Sequence, residues 1–558
     1  MKYLLEIIKK NKGLMSLYVG LGIVIAFLNN YSAQYFERLI DGFGQESFSG
    51  DIIIGYGIVL LLLCLCNYLD EYPNCKLEKS IYFDLKQLAL KKISKIDYES
   101  YQSLGTGMLI QRVESGACAG KGILFDFGLC VIRNLLPSAI FSLIFIGNMS
   151  QVIMICVLVG YVLVFFITNL LLKSLYRIKA NILVNEESFN KFLVRGFMEV
   201  IVFRMNKRFE AEISKTCSAG KEITEAKVKM RLIHEVFFAS FAVLIILIKI
   251  GIIYYGWKTN ALSIGAVIAL ITLVDHAYTP IAIFNVIFVQ YKLDQIAFKR
   301  YTDFLDMKED KGLSEGEVIV NLEGKIEISH LDFSYGEKSI LRDLSLELPK
   351  GQTIAFVGES GSGKSTLIKL ILGLLKPTGG TVLIDGKKIS KVNLQAYYEQ
   401  IAYISQESPI FDGTLRENLV FDKKIADERI IEALEQVGLS EFLIKLEEGL
   451  DTKVGEKGVM LSGGERQRLA LARLYFSTVQ LVILDEVTSA MDNLTEKFVM
   501  ERIMNLLKGK TVIIIAHRLS SIQKVDQVVL FKEGRILGQG KFGELLKKSE
   551  YFKALYYR

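Results

Sequence analysis

The sequence predicts a multidomain membrane protein, in which an all-α transmembrane domain of six helices is followed by an α/β domain. Three observations predict this fold: an apolar composition, its concentration before residue 300, and a change of pattern after residue 320. Of the 558 residues, 51% are apolar and 23% are charged, and the mean hydropathy is +0.33. This composition excludes a disordered chain, which needs low hydrophobicity and high net charge. The net charge of +6 is too small to indicate nucleic acid as a partner.

Six apolar segments of about 20 residues are each long enough to cross a hydrocarbon core of roughly 30 Å. They lie at residues 13–35, 52–70, 127–148, 152–172, 236–257 and 263–290. The first segment lacks a small-residue cleavage site and is therefore interpreted as an anchor, not as a signal peptide.

Lysine and arginine residues concentrate at the N-terminus and in the connections 76–121 and 173–235, whereas the alternate connections hold few. By the positive-inside rule, the N-terminus and both long connections are predicted to be cytoplasmic. Both connections have helical periodicity, so we expect the spanning helices to extend beyond the membrane.

After residue 320, short β-branched runs alternate with amphipathic helices. The runs lie at residues 353–357, 381–384, 481–484 and 511–516. This alternation predicts an α/β domain with a largely parallel sheet. We therefore place the transmembrane domain at residues 1–310 and the α/β domain at residues 320–558.

A P-loop pattern follows the strand predicted at residues 353–357. Its residues are Gly358, Glu359, Ser360, Gly361, Ser362, Gly363, Lys364 and Ser365. An apolar helix is predicted to begin near Thr366, which completes the strand–loop–helix context of a phosphate-binding loop. The glycines let backbone N–H groups converge on phosphate oxygens. Lys364 is expected to reach the β- and γ-phosphates and Ser365 to bind Mg²⁺, so the α/β domain is predicted to be a P-loop NTPase domain.

Four apolar residues, 481–484, end in the carboxylates Asp485 and Glu486. A buried central strand would deliver these side chains to the crevice where open α/β sheets bind ligands. Asp485 is expected to hold Mg²⁺, directly or through water, and Glu486 to polarise the attacking water. Combined with the P-loop upstream, this pattern favours ATP hydrolysis over a plain surface turn.

A further string places Ser462, Gly463, Gly464 and Glu465 at the start of a predicted helix. A helix N-terminus of this kind is a second anion-binding site. Two anion sites on one small domain are explained if two domains meet head to tail. The P-loop of one domain and the Ser-Gly-Gly of the other would then enclose the same ATP.

Together these motifs resemble those of the ATP-binding cassette (ABC) family, with Glu465 where its signature motif more often has Gln. The resemblance implies that Tyr335 stacks on adenine and that His517 contacts the γ-phosphate. It implies that Gln406 touches Mg²⁺ and links the site to the membrane part. It also implies that the loop ending at Asp492 lets the two sites of a dimer communicate.

Six spans followed by one cassette are similar to a half-transporter of the exporter type, which implies a dimer. Residues 101–109 and 190–204 resemble its two intracellular loops, whose short helices dock on the cassettes, the second on that of the partner. Glu486, His517 and the Ser-Gly-Gly string are all intact. This favours a homodimer, with a heterodimer as the alternative.

Four polar residues fall within or near the apolar segments: Arg133, Lys249, Asp275 and His276. Ionisable groups at membrane depth usually face a cavity, a partner or a pathway. Asp275, His276 and Arg133 are therefore candidates for a substrate cavity. The structural alternatives are an Asp275–Arg133 pair and an inter-helical hydrogen bond from His276. Lys249 is expected to extend towards the membrane interface.

The sequence therefore predicts ATP-driven export of an amphiphilic peptide, drug-like compound or lipid across the plasma membrane of a bacterium. ATP and Mg²⁺ are the expected cofactors, and a second half-transporter and membrane lipid are the expected partners. Import of a metal chelate, such as a siderophore, on the same architecture is the alternative. The six spans argue against a soluble ABC ATPase, and nothing in the sequence supports an ATP-gated channel.

Overall fold

The structure is a computed structural model that describes residues 2–43, 50–102, 104, 106–421, 423–455, 459–516 and 518–557. The chain divides into two compact units. The first unit contains Met1–Ser94 and Leu104–Met307. The second contains Lys95–Ser103 and Lys308–Arg558.

The first unit is helical, as predicted. The helices before residue 310 are α1 (Lys2–Lys10), α2 (Lys12–Gly42), α3 (Gly50–Ile93), α4 (Tyr98–Gln102), α5 (Thr106–Lys121), α6 (Leu136–Met149), α7 (Gln151–Met198), α8 (Val200–Met205), α9 (Phe209–Thr259) and α10 (Ile264–Leu305). Of these, α4 belongs to the second unit.

Five helical segments in the described part of the chain are long and apolar enough to cross a membrane. They are α2, α3, the continuous segment Leu109–Met149, α9 and α10. The remaining predicted span, 152–172, lies in α7, where the apolar stretch Gln151–Val164 is shorter. The first unit is therefore a multi-pass helical membrane domain.

Several of these helices are much longer than a membrane is thick. Helices α7 and α9 contain 48 and 51 residues, which corresponds to about 72 and 77 Å at 1.5 Å per residue. The hydrocarbon core is only about 30 Å thick. The helices therefore extend well beyond their apolar segments, as the sequence predicted.

The third span departs from regular α-helix between α5 and α6. Two π-helical segments, Gly122–Leu129 and Val131–Leu135, lie there, and the second contains Arg133. Segments with this wider winding are rare and occur often near functional sites. The sequence did not predict them, because hydropathy does not distinguish π-helix from α-helix.

The second unit combines sheets and helices. Its strands are β1 (Ile326–Tyr335), β2 (Lys338–Leu348), β3 (Thr353–Gly358), β4 (Gly379–Ile384), β5 (Lys387–Lys388), β6 (Ile401–Ile404), β7 (Gly413–Thr414), β8 (Lys453–Val454), β9 (Leu481–Asp485), β10 (Thr511–Ile515), β11 (Gln527–Lys532) and β12 (Arg535–Gly540).

The prediction of a largely parallel sheet is correct for only part of this unit. The central sheet has the order β12-β11-β3-β10-β9-β6 and is parallel except for β12. A separate antiparallel sheet has the order β2-β1-β4-β5. The predicted run 381–384 lies in β4 of this second sheet. Its apolar pattern gives a strand but does not determine which sheet it joins.

The helices of the second unit pack around these sheets. Besides α4, they are α11 (Lys364–Ile371), α12 (Leu394–Tyr398), α13 (Leu415–Val420), α14 (Asp427–Gln436), α15 (Ser440–Ile444), α16 (Gly463–Ala472), α17 (Asn493–Leu506), α18 (Phe542–Lys548) and α19 (Glu550–Tyr556).

The central sheet is buried on both faces, which explains why its strands are almost uniformly apolar. In β3, Ala355 and Val357 join the core shared with α16 and α17, whereas Ile354 and Phe356 face the core shared with the antiparallel sheet. The side chains alternate because successive residues of a strand point to opposite faces. Because β3, β6, β9 and β10 run parallel, their carboxyl ends lie at the same edge of the sheet.

The short helix α4 is part of the second unit although it connects α3 to α5. The Asp97 N–H donates to the Lys308 carbonyl at 3.1 Å, and the Asp310 N–H donates to the Lys95 carbonyl at 2.8 Å. Tyr98 packs against the core of this unit. The resemblance predicted the first intracellular loop at 101–109. The described part of this region contains the end of α4 and the beginning of α5.

Candidate nucleotide-binding site

The loop between β3 and α11 has a backbone conformation at Gly358 and Gly363 that only glycine tolerates. Gly358 has φ +156, and a Cβ there would lie 2.3 Å from the Phe531 carbonyl oxygen. Gly363 has φ +105, and a Cβ there would lie 2.5 Å from a Leu341 methyl group. Without side chains, the backbone of this loop can turn tightly enough to present N–H groups to phosphate.

Lys364 is the first residue of α11 and is 5% exposed. Its Nζ donates to the carbonyl oxygens of Gly358 and Glu359, both at 2.8 Å, and to Ser362 Oγ at 3.3 Å. Burial lowers the pKa of this ammonium group. A buried ammonium group that is held by the carbonyl oxygens of the loop is well suited to receive a phosphate anion.

The other loop residues differ in exposure. Glu359, Ser360, Gly361 and Ser365 are exposed, Thr366 is half-buried, and Ser362 is buried. The helix begins two residues earlier than predicted, at Lys364. Ser365 therefore lies in the first helical turn with its side chain open to a ligand.

Strand β9 carries Asp485 and Glu486 to the same sheet edge. Asp485 is 6% exposed, and burial together with the neighbouring Glu486 raises the pKa of its carboxyl group. Glu486 has φ +53, and its N–H donates to the Ile515 carbonyl at 3.1 Å. The strand ends at Asp485, immediately before this left-handed residue. Asp485 is buried, whereas Glu486 is half-buried.

Gln406 follows β6 and reaches the same edge. Its Nε2 donates to the Glu486 carboxylate at 2.5 Å. The structure thus brings together Gln406 and Glu486, two of the residues that the sequence proposed as catalytic. The third, His517, lies outside the described residues. Its strand, β10, ends at Ile515 opposite Asp485.

These side chains fit a magnesium ion. Ser365, Asp485 and Gln406 offer hydroxyl, carboxylate and amide oxygens, which are the ligands Mg²⁺ prefers. The described residues hold no group of three or more His, Cys, Asp and Glu side chains that could bind a metal alone. A cation here would complete its coordination with phosphate oxygens and water, as Mg²⁺ usually does.

Tyr335 ends β1, and its ring is 38% exposed. The ring meets Phe333 edge-to-face, with 4.8 Å between centroids. One aromatic is therefore buried in the core and fixes the other at the surface. An exposed, fixed ring can stack on a nucleotide base.

Helix α16 begins with the Ser-Gly-Gly string, as predicted. The Ser462 hydroxyl accepts from the Glu465 N–H at 3.3 Å, and the Glu465 carboxylate accepts from the Ser462 N–H at 2.7 Å. This capping box satisfies two helix-terminal N–H groups. It gives Glu465 a structural role where the family more often has Gln.

The two glycines of this string allow a close approach of the loop that precedes α17. A Cβ at Gly463 would lie 3.1 Å from the Ala490 Cβ, and a Cβ at Gly464 would lie 3.0 Å from the Ala490 oxygen. The same loop ends at Asp492, which caps α17 by accepting from the N–H groups of Leu494 and Thr495 at 3.0 Å.

Sequence reasoning missed two residues that hold this loop. Gln467 of α16 donates to Ser489 Oγ at 2.9 Å and accepts from the Ala490 N–H at 3.0 Å. Arg518 donates to the Met491 carbonyl and to buried Glu496, both at 2.8 Å. The only sequence signal was position, because Gln467 lies just after the signature string and Arg518 lies next to His517.

The intramembrane pairs differ from those expected. Asp275 pairs with Lys249 at 2.7 Å, so the expected Asp275–Arg133 pair is wrong. Arg133 instead pairs with Asp70 and lies 3.9 Å from the centre of the Tyr18 ring. Pairing depends on how each helix is rotated, which hydropathy does not determine.

His276 makes its inter-helical contact through the backbone. Its carbonyl accepts from Ser138 Oγ at 3.1 Å. Its ring Nδ1 is buried and has no hydrogen-bond partner among the described residues. Among the described residues, Arg133, Asp275 and His276 thus contact different partners.

The helical membrane unit and the phosphate-binding edge of the second unit define a membrane protein with a nucleotide-binding domain. Two family models match the chain: the ABC transporter transmembrane region over residues 15–280 and the ABC transporter over residues 341–489. The chain belongs to the ABC transporter family, with both parts in one polypeptide.

Known relatives agree with this assignment. A "multidrug resistance ABC transporter ATP-binding and permease protein" of Lactococcus lactis subsp. lactis (strain IL1403) is 35% identical over 303 residues, 53% of this chain and 51% of the relative. An "uncharacterized ABC transporter ATP-binding protein", YknV of Bacillus subtilis (strain 168), is 27% identical over 523 residues, 91% of this chain and 83% of the relative. The chain spans about half the length of two of the curated relatives that it matches.

A solved structure shows the same fold. A bacterial Atm1-family ABC exporter with ATP bound superposes with a TM-score of 0.83 at 20% identity, covering 99% of this chain and 98% of that chain. At this identity the likeness establishes the fold alone.

Proposed function

We propose that this chain is an ATP-hydrolysing exporter of amphiphilic compounds. The observation that carries the proposal is the meeting of Lys364, Asp485, Glu486 and Gln406 at one sheet edge of a chain that also holds apolar spans. We assign each residue a distinct role in ATP hydrolysis. The apolar spans form the membrane domain whose conformation hydrolysis would change.

We assign the roles as follows. The P-loop N–H groups and Lys364 bind the phosphates, and Tyr335 stacks on adenine. Mg²⁺, held by Ser365, Asp485 and Gln406, would neutralise charge on the phosphate oxygens. Glu486 polarises the attacking water in this proposal, since it follows the buried strand directly and is only half-buried. His517 contacts the γ-phosphate in this proposal.

The proposal requires a dimer, and two surfaces support one. Helix α8 and its flank expose Phe197, Ile201 and Met205, each more than 75% open. In the second unit, an open cavity of about 280 Å³ lies between Glu407–Ile410 and Met460–Leu461. We infer that the exposed residues around α8 of one subunit bind in this cavity of the other subunit.

A dimer also explains the second anion site. Ser462, Gly463 and Gly464 form a capped helix N-terminus, although the P-loop of the same domain already supplies a phosphate site. In a head-to-tail dimer, this N-terminus would face the ATP on the other subunit. Residues of both subunits would then enclose each nucleotide, and hydrolysis would release the two domains.

We propose the plasma membrane of a bacterium as the location, with the N-terminus and the nucleotide-binding domain in the cytoplasm. The distribution of lysine and arginine supports this orientation. The substrate is proposed to be amphiphilic because most of the membrane domain is apolar, with a few paired charges. The printed name of the Lactococcus relative, a multidrug resistance protein, is consistent with this class.

The test is MgATP hydrolysis by this chain alone in lipid nanodiscs, beside its Glu486→Gln variant. Turnover that is lost in the variant would support a homodimeric motor. A folded, ATP-binding protein that is equally inactive with and without Glu486 would overturn the homodimer and point to an unlike partner subunit.

A further inference from the structure

We propose that Asp275 of α10 binds the cationic group of an amphiphilic substrate, and that Lys249 of α9 competes with that group for the Asp275 carboxylate. This inference rests on the proposed function and specifies the charge of its substrate. Both residues belong to the membrane unit, and their helices contact each other there.

The Lys249–Asp275 pair differs in exposure from the Asp70–Arg133 pair. The side chains of Asp70 and Arg133 are 12% and 10% exposed, so that pair is closed inside the helix bundle. The side chains of Asp275 and Lys249 are 49% and 27% exposed. Of these two pairs, the one that contains Asp275 is therefore open to a molecule from outside the chain.

The exposed carboxylate lies at membrane depth. Asp275 is near the middle of the apolar segment 263–290, and Lys249 lies within the segment 236–257. Ionisable groups at this depth are costly in contact with lipid tails, and they face the interior of a helix bundle or a water-filled cavity. We therefore expect the open side of Asp275 to face such a cavity and not the lipid.

The face of α10 around Asp275 is partly polar. Residues three or four positions apart share one face of a helix. The members of this face are half-buried or exposed, and they are Thr272, Asp275, Thr279, Ile283, Val286 and Gln290. On the opposite face, Val274 and Ala277 are fully buried in the apolar core. A face that mixes polar and apolar side chains complements a molecule that is itself amphiphilic.

The Asp275 carboxylate already holds an ammonium group. The Lys249 Nζ lies 2.7 Å from both Asp275 oxygens. Lysine carries its charge on a flexible four-carbon stem, so this ammonium group can be displaced without movement of the α9 backbone. A ligand cation would take its position at the carboxylate. The exchange replaces one ion pair by another, and Asp275 is left unpaired neither before nor after it.

A purely structural ion pair is the alternative. Both interpretations predict that loss of Lys249 lowers stability, but they differ in the affinity for a cation. If Lys249 only holds α9 against α10, its removal should weaken ligand binding or leave it unchanged. If Lys249 competes with the ligand, its removal should strengthen binding. The sign of the change in affinity therefore separates the two interpretations.

The experiment measures equilibrium binding of dansylcadaverine, a fluorescent apolar ring system with a primary ammonium group, to the full chain in nanodiscs without nucleotide. Empty nanodiscs are the blank, and N-acetyl-dansylcadaverine is the uncharged control probe. Affinity for the charged probe should fall about 5- to 10-fold in Asp275→Asn, which is less than a charged hydrogen bond alone gives, because Lys249 must first be displaced. It should rise about 3- to 5-fold in Lys249→Met, because a half-exposed ion pair is a weak competitor.

The controls keep the rest of the membrane unit intact. Asp303→Asn and Lys258→Met, at exposed positions of α10 and α9, should bind like the parent. The double variant Lys249→Met/Asp275→Asn should bind like Asp275→Asn. Lys249→Gln, which keeps a hydrogen-bond donor, repeats the test if Lys249→Met does not fold. The acetylated probe should bind equally to all variants.

Weaker or unchanged binding of the charged probe after removal of Lys249 would overturn the proposal, and so would unchanged binding in Asp275→Asn. Equal effects on both probes would overturn it too, because they would indicate altered packing instead of recognition of charge. A lower dimer fraction in Asp275→Asn with unchanged affinity would assign this face to contact with a second subunit. MgATP hydrolysis by the parent is measured separately: its absence would contradict the proposed function and leave the binding result intact.

Discussion

The side-chain amide of Gln406 donates a 2.5 Å hydrogen bond to the Glu486 carboxylate. The two residues lie 80 positions apart in the chain and on different strand ends. One is proposed to bind Mg²⁺ and the other to polarise water. Binding of MgATP would draw Gln406 towards the metal and leave the Glu486 carboxylate to act on water. If these proposed roles hold, occupancy of the metal site would break the hydrogen bond between Gln406 and Glu486.

Replacing the buried lysine of the P-loop should weaken nucleotide binding. Lys364→Met removes the only ammonium group buried within the loop, and charged hydrogen bonds of this kind contribute about 1.5–3 kcal/mol. ATP affinity should therefore fall about 10- to 100-fold. Equilibrium binding of a fluorescent ATP analogue measures this. Lys497→Met, at an exposed position on α17, should bind normally; equal affinity in both variants would contradict the assignment.

Removal of the cation beside Glu496 should destabilise the nucleotide-binding domain. Arg518→Met leaves a carboxylate that is 4% exposed without its ion pair. An unsatisfied buried group costs about 1–3 kcal/mol, so the unfolding temperature should fall by several degrees. The double variant Arg518→Met/Glu496→Gln should recover part of this loss. Arg429→Met, an exposed arginine on α14, is the control. An equal loss there would argue against the Arg518–Glu496 ion pair as the cause.

The contact between Gly463 and Ala490 predicts a suppressor. Gly463→Ala should lower stability, because overpacking typically costs about 1–3 kcal/mol. Ala490→Gly should restore it, since the close atom is the Ala490 Cβ. Gly464→Ala should not be restored, because there the close atom is the backbone oxygen of Ala490. Thermal unfolding of the four variants checks this; equal rescue of both would show that the packing is misassigned.

The ion pair between Lys249 and Asp275 should stabilise the membrane domain. Lys249→Met leaves Asp275 unpaired at membrane depth, where ionisable groups are costly, by about 2.5–3.5 kcal/mol on insertion scales. Its unfolding temperature in nanodiscs should fall, and Lys249→Met/Asp275→Asn should recover. Lys258→Met, near the end of α9, is the control. If Lys249→Met is as stable as the parent, Asp275 does not depend on this pair.

The sequence predicted the parts of the site that are local in the chain. The P-loop and the strand ending at Asp485 are recognisable because a few adjacent residues specify strand, turn and helix. It did not predict Gln467 or Arg518, since their partners lie in other elements of the chain. It also could not pair Asp275 with Lys249, because that contact depends on the rotation of two helices about their axes.

The most direct test of the account is transport in inside-out membrane vesicles that contain this chain. A fluorescent amphiphilic dye should accumulate in the vesicles on addition of MgATP, and the Glu486→Gln variant should bind ATP without accumulating dye. Turnover should fall about 10²- to 10⁴-fold in that variant, the usual contribution of a general base. ATP-dependent loss of preloaded dye from the same vesicles, or equal accumulation by the variant, would contradict ATP-driven export.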